Sequence, residues 1–181
     1  ELLRRDKGDL WNSGCVVSDE SVNIVYKGKS LESNQKCFWK VRICDEQGNW
    51  SAWSSPGFWR MGLFSDSWSG RWIGCELMER QSVGGQKINN KMSDPWFRKT
   101  FDLPEEAQDA IIYVASIGYH ELYVNGRKVG DAVLSPSVTD HKSRARYMTY
   151  DITQYLNSGE NVIALWLGGS WSIFPAYQRV G

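Results

Sequence analysis

Asn125 and Gly126 are the feature of this 181-residue chain that most limits its fold. They separate two short runs of strand-forming residues, 122–124 and 127–129. An Asn-Gly pair in this setting is the strongest short-range signal for a β-hairpin, because a type I′ turn needs a positive φ at both central residues. The pair therefore predicts two antiparallel strands, with Gly126 at positive φ.

Further strands are predicted around this hairpin. Segments 95–103, 110–117 and 161–169 have the composition of strands, and the last two are apolar on both faces, as in a strand between two layers. The chain shows almost no helical pattern. The region 72–181 is therefore predicted to be a sandwich of two sheets, of the jelly-roll type.

The region 1–60 predicts a second, smaller sandwich. "CFWKVRIC", residues 37–44, alternates as a strand with one buried face, and a shorter strand is predicted at 22–26. "NWSAWSSP" predicts a further strand that Pro56 ends. Since a complete sandwich of this kind has about seven strands, we expect part of a fibronectin- or Ig-like sandwich here. Residues 61–71, rich in Gly and Ser, are predicted to be a linker.

The composition argues against several classes of protein. Twenty-one Lys and Arg residues balance 21 Asp and Glu residues, so no net field attracts nucleic acid. No stretch approaches the roughly 20 apolar residues of a membrane span. The four cysteines show no C-x-x-C pair and only two histidines accompany them, which predicts free thiols rather than a zinc site.

No motif of a catalytic centre is present in the sequence. A nucleophile elbow and a phosphate loop are both missing. Ser51 and Ser54 lie beside tryptophans with no histidine near them in the sequence, and Glu105 and Glu106 fall in a turn, where solvated charge is expected. We therefore expect this chain to have no catalytic residues of its own.

The ten tryptophans allow several interpretations. Trp39, Trp53 and Trp166 fall on apolar faces and are expected in the core. Arg42 is expected to stack on Trp50 and Trp53, as in the Trp-Ser-x-Trp-Ser signature of cytokine receptors. A receptor ectodomain would also need paired disulfides. For four others, packing and sugar stacking both remain open: Trp11, Trp68, Trp96 and Trp171.

Several separated elements occur in the order found in one enzyme family. They include Trp53-Ser54, Trp72-Ile73-Gly74, Arg98 with Phe101, Gly118-Tyr119 and Thr139-Asp140. Over nearly its whole length the chain thus resembles the N-terminal region of bacterial α-L-rhamnosidases. The shorter pattern Tyr-x-x-Asn-Gly-x-x-Val-Gly also resembles the jelly roll of β-galactosidase-type enzymes. Accessory domains of such an enzyme, or a stand-alone carbohydrate-binding module or lectin, therefore remain alternatives.

The rhamnosidase resemblance implies a multidomain glycoside hydrolase that removes terminal α-L-rhamnose from glycans with inversion. Its acidic catalytic residues would lie on an (α/α)6 barrel further along the chain, on which this region packs. The fragment is then expected to be inactive alone, and region 72–181 to be a galactose-binding-like jelly roll that is incomplete at its C-terminal end. A periplasmic or extracellular location is expected from the family.

A sugar-binding site is predicted around the polar segment 133–144. Asp140, His141 and Arg144 could hydrogen-bond sugar hydroxyls, and Trp171 could offer a ring nearby. The alternative is structural, with Asp140 bonding its own turn and Arg144 pairing with Asp151. We favour this alternative and expect weak or no affinity for rhamnose.

Calcium is the one cofactor that the resemblance brings into question. Some jelly rolls of these enzymes resemble calcium-dependent rhamnose-binding modules. No calcium-ligating residue of those modules can be matched onto this sequence, so neither a metal nor another cofactor is assigned.

Overall fold

The computed structural model describes residues 2–20, 22–75, 94–141 and 143–169. Within them the chain is all-β, as predicted, with three short 3-10 helices besides its strands. No helix in these ranges is long and apolar enough to cross a bilayer. The chain divides into two compact units, Glu1–Arg71 and Trp72–Gly181. Residues 76–93 and 170–181, which include Trp171, lie outside the described residues.

The first unit contains a two-stranded antiparallel sheet. Strand β1, Lys36–Trp39, pairs with β2, Gly57–Arg60, and an isolated bridge joins Cys44 to Trp50. The predicted strand 37–44 is therefore shorter than expected. The sequence predicts that Pro56, which has no backbone N–H to pair, ends a strand. In the structure β2 begins at the next residue.

The predicted strand at 22–26 is wrong, because these residues belong to no strand. Asn23 has φ 59°, in the left-handed region, so the backbone cannot continue as an extended strand through it. An asparagine tolerates this conformation better than most residues do. A local turn thus outweighs the β propensity of the neighbouring valine and isoleucine.

The burial expected for residues 37–43 is also largely wrong. Cys37 is 1% exposed, whereas Trp39, Val41 and Ile43 are exposed. Trp53, likewise predicted in the core, is 37% exposed. Alternation assigns side chains to a face, and burial requires a second layer over that face.

Cys15, Cys37 and Cys44 have free thiols, as predicted, and Cys37 is buried. A receptor ectodomain held by disulfides is therefore not supported.

The residues that follow β2 hydrogen-bond to residues that precede β1. The Met61 N–H donates to the Gln35 carbonyl, and the Phe64 N–H donates to the Ser33 hydroxyl at 2.8 Å.

The second unit contains six strands in two antiparallel sheets. The first sheet has the order β3-β8-β5-β6 and the second pairs β4 with β7. These six strands run as follows: β3, Trp96–Leu103; β4, Ile111–Ala115; β5, Tyr119–Val124; β6, Arg127–Lys128; β7, Tyr147–Asp151; and β8, Gly159–Gly168.

The core of this unit lies between the two sheets. Leu122 and Val124 of β5 are buried together with Val129 and Ile152, and Ile112 of β4 packs against the same cluster. The predicted two-sheet sandwich is therefore confirmed. At about 25 cal/mol per Å² of apolar surface, each fully buried aliphatic side chain contributes roughly 1.5–3 kcal/mol to folding.

The predicted hairpin turn is confirmed. Asn125 has φ 49° and Gly126 has φ 77°, so both have the positive φ of a type I′ turn. The Asn125 amide donates to the Tyr155 carbonyl and to the Asn161 side-chain oxygen, both at 2.8 Å, and its own oxygen accepts the Val162 N–H. The turn is thereby tied to the start of β8 through the buried Asn161.

Candidate functional site

The predicted sugar-binding segment forms a closed local turn. The Asp140 carbonyl accepts the N–H groups of Ser143 and Arg144, and its carboxylate accepts the Ser143 hydroxyl at 2.8 Å. Thr139 donates its hydroxyl to the Arg144 carbonyl at 3.0 Å. The bond to the Asp140 side chain thus comes from the Ser143 hydroxyl, and the two backbone bonds go to the main-chain carbonyl of Asp140.

The three described candidates lie in one stretch of backbone, with Asp140 and Arg144 exposed and His141 partly buried. The segment is anchored at its start, where the His120 N–H of β5 donates to the Ser135 carbonyl at 2.8 Å. The carboxylate of Asp151 accepts the N–H and the hydroxyl of Thr153. Whether Asp140, His141 and Arg144 bind sugar stays a prediction.

In the first unit the two tryptophans of the Trp-Ser-Ala-Trp-Ser signature stack with basic side chains, and we call this stack the ladder. The Arg42 guanidinium lies 4.5 Å from the centre of the Trp50 ring and 4.6 Å from that of Trp53, which confirms the predicted stacking. The Lys40 ammonium also lies over Trp53, 4.6 Å from the centre of its ring. These cation–π contacts stabilise the unit without requiring a ligand.

The two serines of the signature complete its backbone pairing. The Ser54 hydroxyl accepts the Val41 N–H at 3.1 Å, and the Ser51 hydroxyl accepts the Ile43 N–H at 3.0 Å. Each hydroxyl also donates to a neighbouring carbonyl. Both serine hydroxyls therefore hydrogen-bond to the backbone instead of being presented as nucleophiles.

A buried histidine joins the two sheets of the second unit. His120 Nδ1 lies 2.7 Å from Ser116 Oγ, and Nε2 lies 3.0 Å from the Tyr150 hydroxyl of β7. The Ser116 hydroxyl donates to the Gly118 carbonyl, so it accepts the proton of Nδ1, and Tyr150 donates to Nε2. This assigns a neutral imidazole, in agreement with the lowering of the His120 pKa by burial.

The resemblance between this group and a serine–histidine catalytic pair is superficial. A nucleophilic serine would direct its proton to the histidine, whereas Ser116 directs it to a backbone carbonyl. All three side chains satisfy one another within the protein. We therefore interpret the group as a structural link between β5 and β7.

Three aromatic rings form a row on one face of the four-stranded sheet. The Trp96 ring of β3 stacks on the Trp166 ring of β8, with the ring centroids 5.2 Å apart and an angle of 8° between the ring planes. The Trp96 centroid also lies 5.3 Å from the ring centroid of Tyr123 of β5. We call these three residues the aromatic row. Trp96 is 56% and Trp166 is 41% exposed, so the prediction that Trp166 belongs to the core is wrong.

The reason is the register of the strands. Trp166 pairs with Trp96 and Glu121, whereas its neighbour Leu165 pairs with Phe97 and Leu122. Because alternate residues of a strand point to opposite faces, Leu165 faces the core and Trp166 faces outward. The run "NVIALWLGG" is apolar on both faces, so the sequence alone could not distinguish them.

Charged groups adjoin the aromatic row on the same face. Glu121 accepts hydrogen bonds from the Tyr123 hydroxyl at 2.7 Å and from Lys128. These bonds, with that from Lys128 the stronger influence, lower the pKa of Glu121. Among the described residues, no group of three or more His, Cys, Asp or Glu side chains is arranged to hold a metal ion.

Comparison with known families gives two matches in order along the chain. Residues 1–65 match the model described as the Rha78A-like, N-terminal immunoglobulin domain. Residues 105–177 match the model described as the alpha-L-rhamnosidase N-terminal domain. The matches fall in the first and second units, respectively.

Individual relatives agree with these matches. An alpha-L-rhamnosidase of Formosa agariphila is 35% identical over 199 aligned positions, covering 99% of this chain and 21% of the relative. One from Alteromonas sp. is 30% identical, covering 90% of this chain and 18% of the relative. The chain thus spans about a fifth of the length of the relatives that it matches.

Solved structures show the same relation. The alpha-L-rhamnosidase from Dictyoglumus thermophilum superposes with a TM-score of 0.82 at 33% identity, over 93% of this chain and 20% of that one. The enzyme from Aspergillus terreus superposes with a TM-score of 0.67 at 27% identity, over 85% of this chain and 17% of that one.

Proposed function

We propose that this chain is the non-catalytic N-terminal part of an α-L-rhamnosidase, a glycoside hydrolase that removes terminal α-L-rhamnose from glycans or glycosides. The observation that carries the proposal is the coverage: nearly all of this chain aligns with a fifth of an alpha-L-rhamnosidase. Most of such a protein, with room for a separate catalytic domain, therefore lies outside the aligned region.

The carboxylates of the described residues support a non-catalytic role. Inverting glycosidases need two carboxyl groups on opposite sides of the scissile bond, about 6.5–9.5 Å apart, one of them with a raised pKa. Glu105 and Glu106 lie exposed in the turn between β3 and β4, as do many surface carboxylates. Glu121 has a lowered pKa, which is the opposite of what a general acid needs.

Activity measurements test this proposal directly. The purified 181-residue chain should release no rhamnose from an aryl α-L-rhamnoside, whereas the longer parent protein should. As a matched control, Glu105→Gln in the parent should leave its turnover unchanged. Turnover by the purified chain that disappears when one of its own carboxylates is replaced would contradict the proposal.

The proposed partner of this region within the parent is an (α/α)6 catalytic domain. The exposed rings of Phe38 and Phe58, paired across β1 and β2 at 6.1 Å, support such an interface in the first unit. Exposed apolar patches of this kind are common at interfaces between domains. Phe58→Ser should therefore lower the melting temperature of the parent and barely affect that of the isolated chain. Equal shifts in both proteins would argue against this interface.

For the segment 133–144 we propose a structural role. The bonds of Asp140 to Ser143 and to two backbone N–H groups support this role, since they close the turn without a ligand. Calorimetric titration with L-rhamnose, with and without calcium, should show a Kd weaker than roughly 0.1 mM, about 5.5 kcal/mol. Tighter binding that is lost in Asp140→Ala would show that the segment is a sugar site.

A further inference from the structure

The aromatic row, Trp166, Trp96 and Tyr123, is a feature of the described part of the second unit that the proposed function does not use. We propose that it binds neutral sugars, with the C–H face of a pyranose ring stacked on an exposed indole. The site is distinct from the segment 133–144, and it acts without a catalytic domain. The inference therefore goes beyond the proposed function.

The strand register keeps the aromatic row outside the core of its own unit. Trp96, Trp166 and Glu121 occupy one register line and share the outer face, while the next line, Phe97, Leu165 and Leu122, lies on the inner face. The inner face packs against the second sheet through Leu122 and Leu165. Among the described residues, packing within the sandwich thus leaves these two indoles exposed.

A small residue lets the rings assemble across three strands. Ala164 of β8 lies in register with Tyr123 of β5 and shares its face, so at this position β8 contributes only a methyl group to the outer face. The Trp96 side chain can therefore extend over β8 and lie between Trp166 and Tyr123. Rings that hold one another in place lose little freedom on binding, which favours recognition of a flat ligand.

The polar groups beside the row suit an uncharged, hydroxyl-rich ligand. Tyr123 and Lys128 both bond to Glu121, so the positive and negative charges largely cancel. The lowered pKa of Glu121 keeps it a carboxylate, which is a strong acceptor for sugar hydroxyls. A sugar offers both apolar C–H groups for the rings and hydroxyls for this ion pair.

The same charges disfavour a large apolar partner. Arg98 pairs with Ala164 and therefore shares the outer face with Glu121 and Lys128. An apolar protein surface over this face would remove water from all three charged side chains, and it would offer the Arg98 guanidinium no carboxylate in return, which is unfavourable. A small sugar ligand covers the indoles and leaves most of these charges in water.

The proposal is tested by titrating the 181-residue chain with methyl α-L-rhamnopyranoside and with methyl β-D-glucopyranoside. Binding is monitored by tryptophan fluorescence and by the indole N–H signals in NMR spectra. At least one sugar should bind saturably with a Kd on the order of 1 mM. The signals of Trp96 and Trp166 should shift the most. This mapping needs no variant, so it remains decisive if a substitution prevents folding.

Four variants locate the site. Trp96→Ala and Trp166→Ala should each weaken binding at least tenfold, with unchanged circular dichroism. The matched control is Trp72→Ala, which removes an indole that is 65% exposed and lies outside the row, and should change the Kd less than twofold. Asp140→Ala should also change it less than twofold, which separates this site from the segment 133–144.

The proposal is overturned if neither sugar binds saturably, or if Trp72→Ala weakens binding as much as Trp96→Ala does. It is equally overturned if the chain self-associates in sedimentation experiments through the row, with no sugar binding. A failure of these titrations would leave the activity test of the parent protein unaffected, so the two proposals can fail separately.

Discussion

In the first unit Cys37 is the one hydrophobic residue among the described positions that is fully enclosed, whereas the second unit buries Val114, Leu122, Val124, Val129 and Ile152. Both units carry strands that alternate apolar and polar residues. In the second unit a second sheet covers the apolar face. Alternation thus specifies which side chains share a face, and a second layer decides whether that face is buried.

The first unit depends on a different set of interactions. Arg42 and Lys40 stack on the rings of Trp50 and Trp53, and Lys40 also pairs with Asp6. Contacts of this kind are worth about 0.5–1 kcal/mol each at exposed sites, less than a buried aliphatic side chain. The two units should therefore respond differently to the loss of an apolar side chain.

Leu122→Ala should have the largest effect. Removing this buried side chain leaves a cavity between the sheets and should cost about 2–5 kcal/mol in the free energy of unfolding. The matched change in the first unit, Cys37→Ala, should cost roughly 1 kcal/mol. Urea unfolding followed by circular dichroism and fluorescence measures both. Equal losses would contradict the difference between the units.

Gly126→Val should cost about 1–3 kcal/mol in the second unit. A Cβ at Gly126 would meet no atom within 4 Å, so the loss would come from backbone strain at φ 77° alone. Gly74→Val is the control, because a Cβ there also has open space and the backbone does not have positive φ. The control should stay within about 0.5 kcal/mol of the unmodified chain. A neutral Gly126→Val would argue against the type I′ turn.

Arg42→Ala should cost about 1–2 kcal/mol in the first unit, because it removes two cation–π contacts at once. Arg42→Lys should recover part of this loss, since it keeps the charge but not the planar guanidinium. Thermal unfolding monitored by tryptophan fluorescence is the measurement. Unchanged stability in Arg42→Ala would show that the ladder contributes nothing to this unit.

The smallest expected effect is a dependence on pH through His120. Burial lowers its pKa below the ordinary 6.5, so the unfolded chain binds a proton more readily than the folded one. Its contribution to stability is therefore fully present above pH 6.5. It declines as the pH falls below that value and levels off once the pH passes the folded-state pKa. Urea midpoints across this range should fall less in His120→Gln; an identical slope would refute the assignment.

Local chemistry made the hairpin predictable. Asn125 and Gly126 determine their turn through their own backbone preferences, whatever packs around them. The strands of the second unit were also recognisable, because segments such as 110–117 and 161–169 are strongly apolar. By contrast, Asn23 interrupted a predicted strand through a left-handed φ that its neighbours do not signal.

The candidate sites depended on information that a single sequence does not contain. Trp166 and Leu165 are adjacent and both apolar, and only pairing with β3 and β5 assigns one to the outer face and the other to the core. Likewise, His120 and Tyr150 are 30 residues apart, so their hydrogen bond follows from the packing of two sheets. The stacking of Arg42 was predictable, because the Trp-Ser-Ala-Trp-Ser signature lies close to it in sequence.

Hydrogen exchange on the intact 181-residue chain compares the two units most directly. Backbone amides of β5 and β8, which border the core at Leu122 and Ile163, should exchange the slowest. Amides of the β1–β2 pair should exchange at least about a hundredfold faster, since this sheet borders one buried side chain. Equal protection of the two sheets, or slower exchange in β1 and β2, would contradict the conclusion that the second unit holds the stable core.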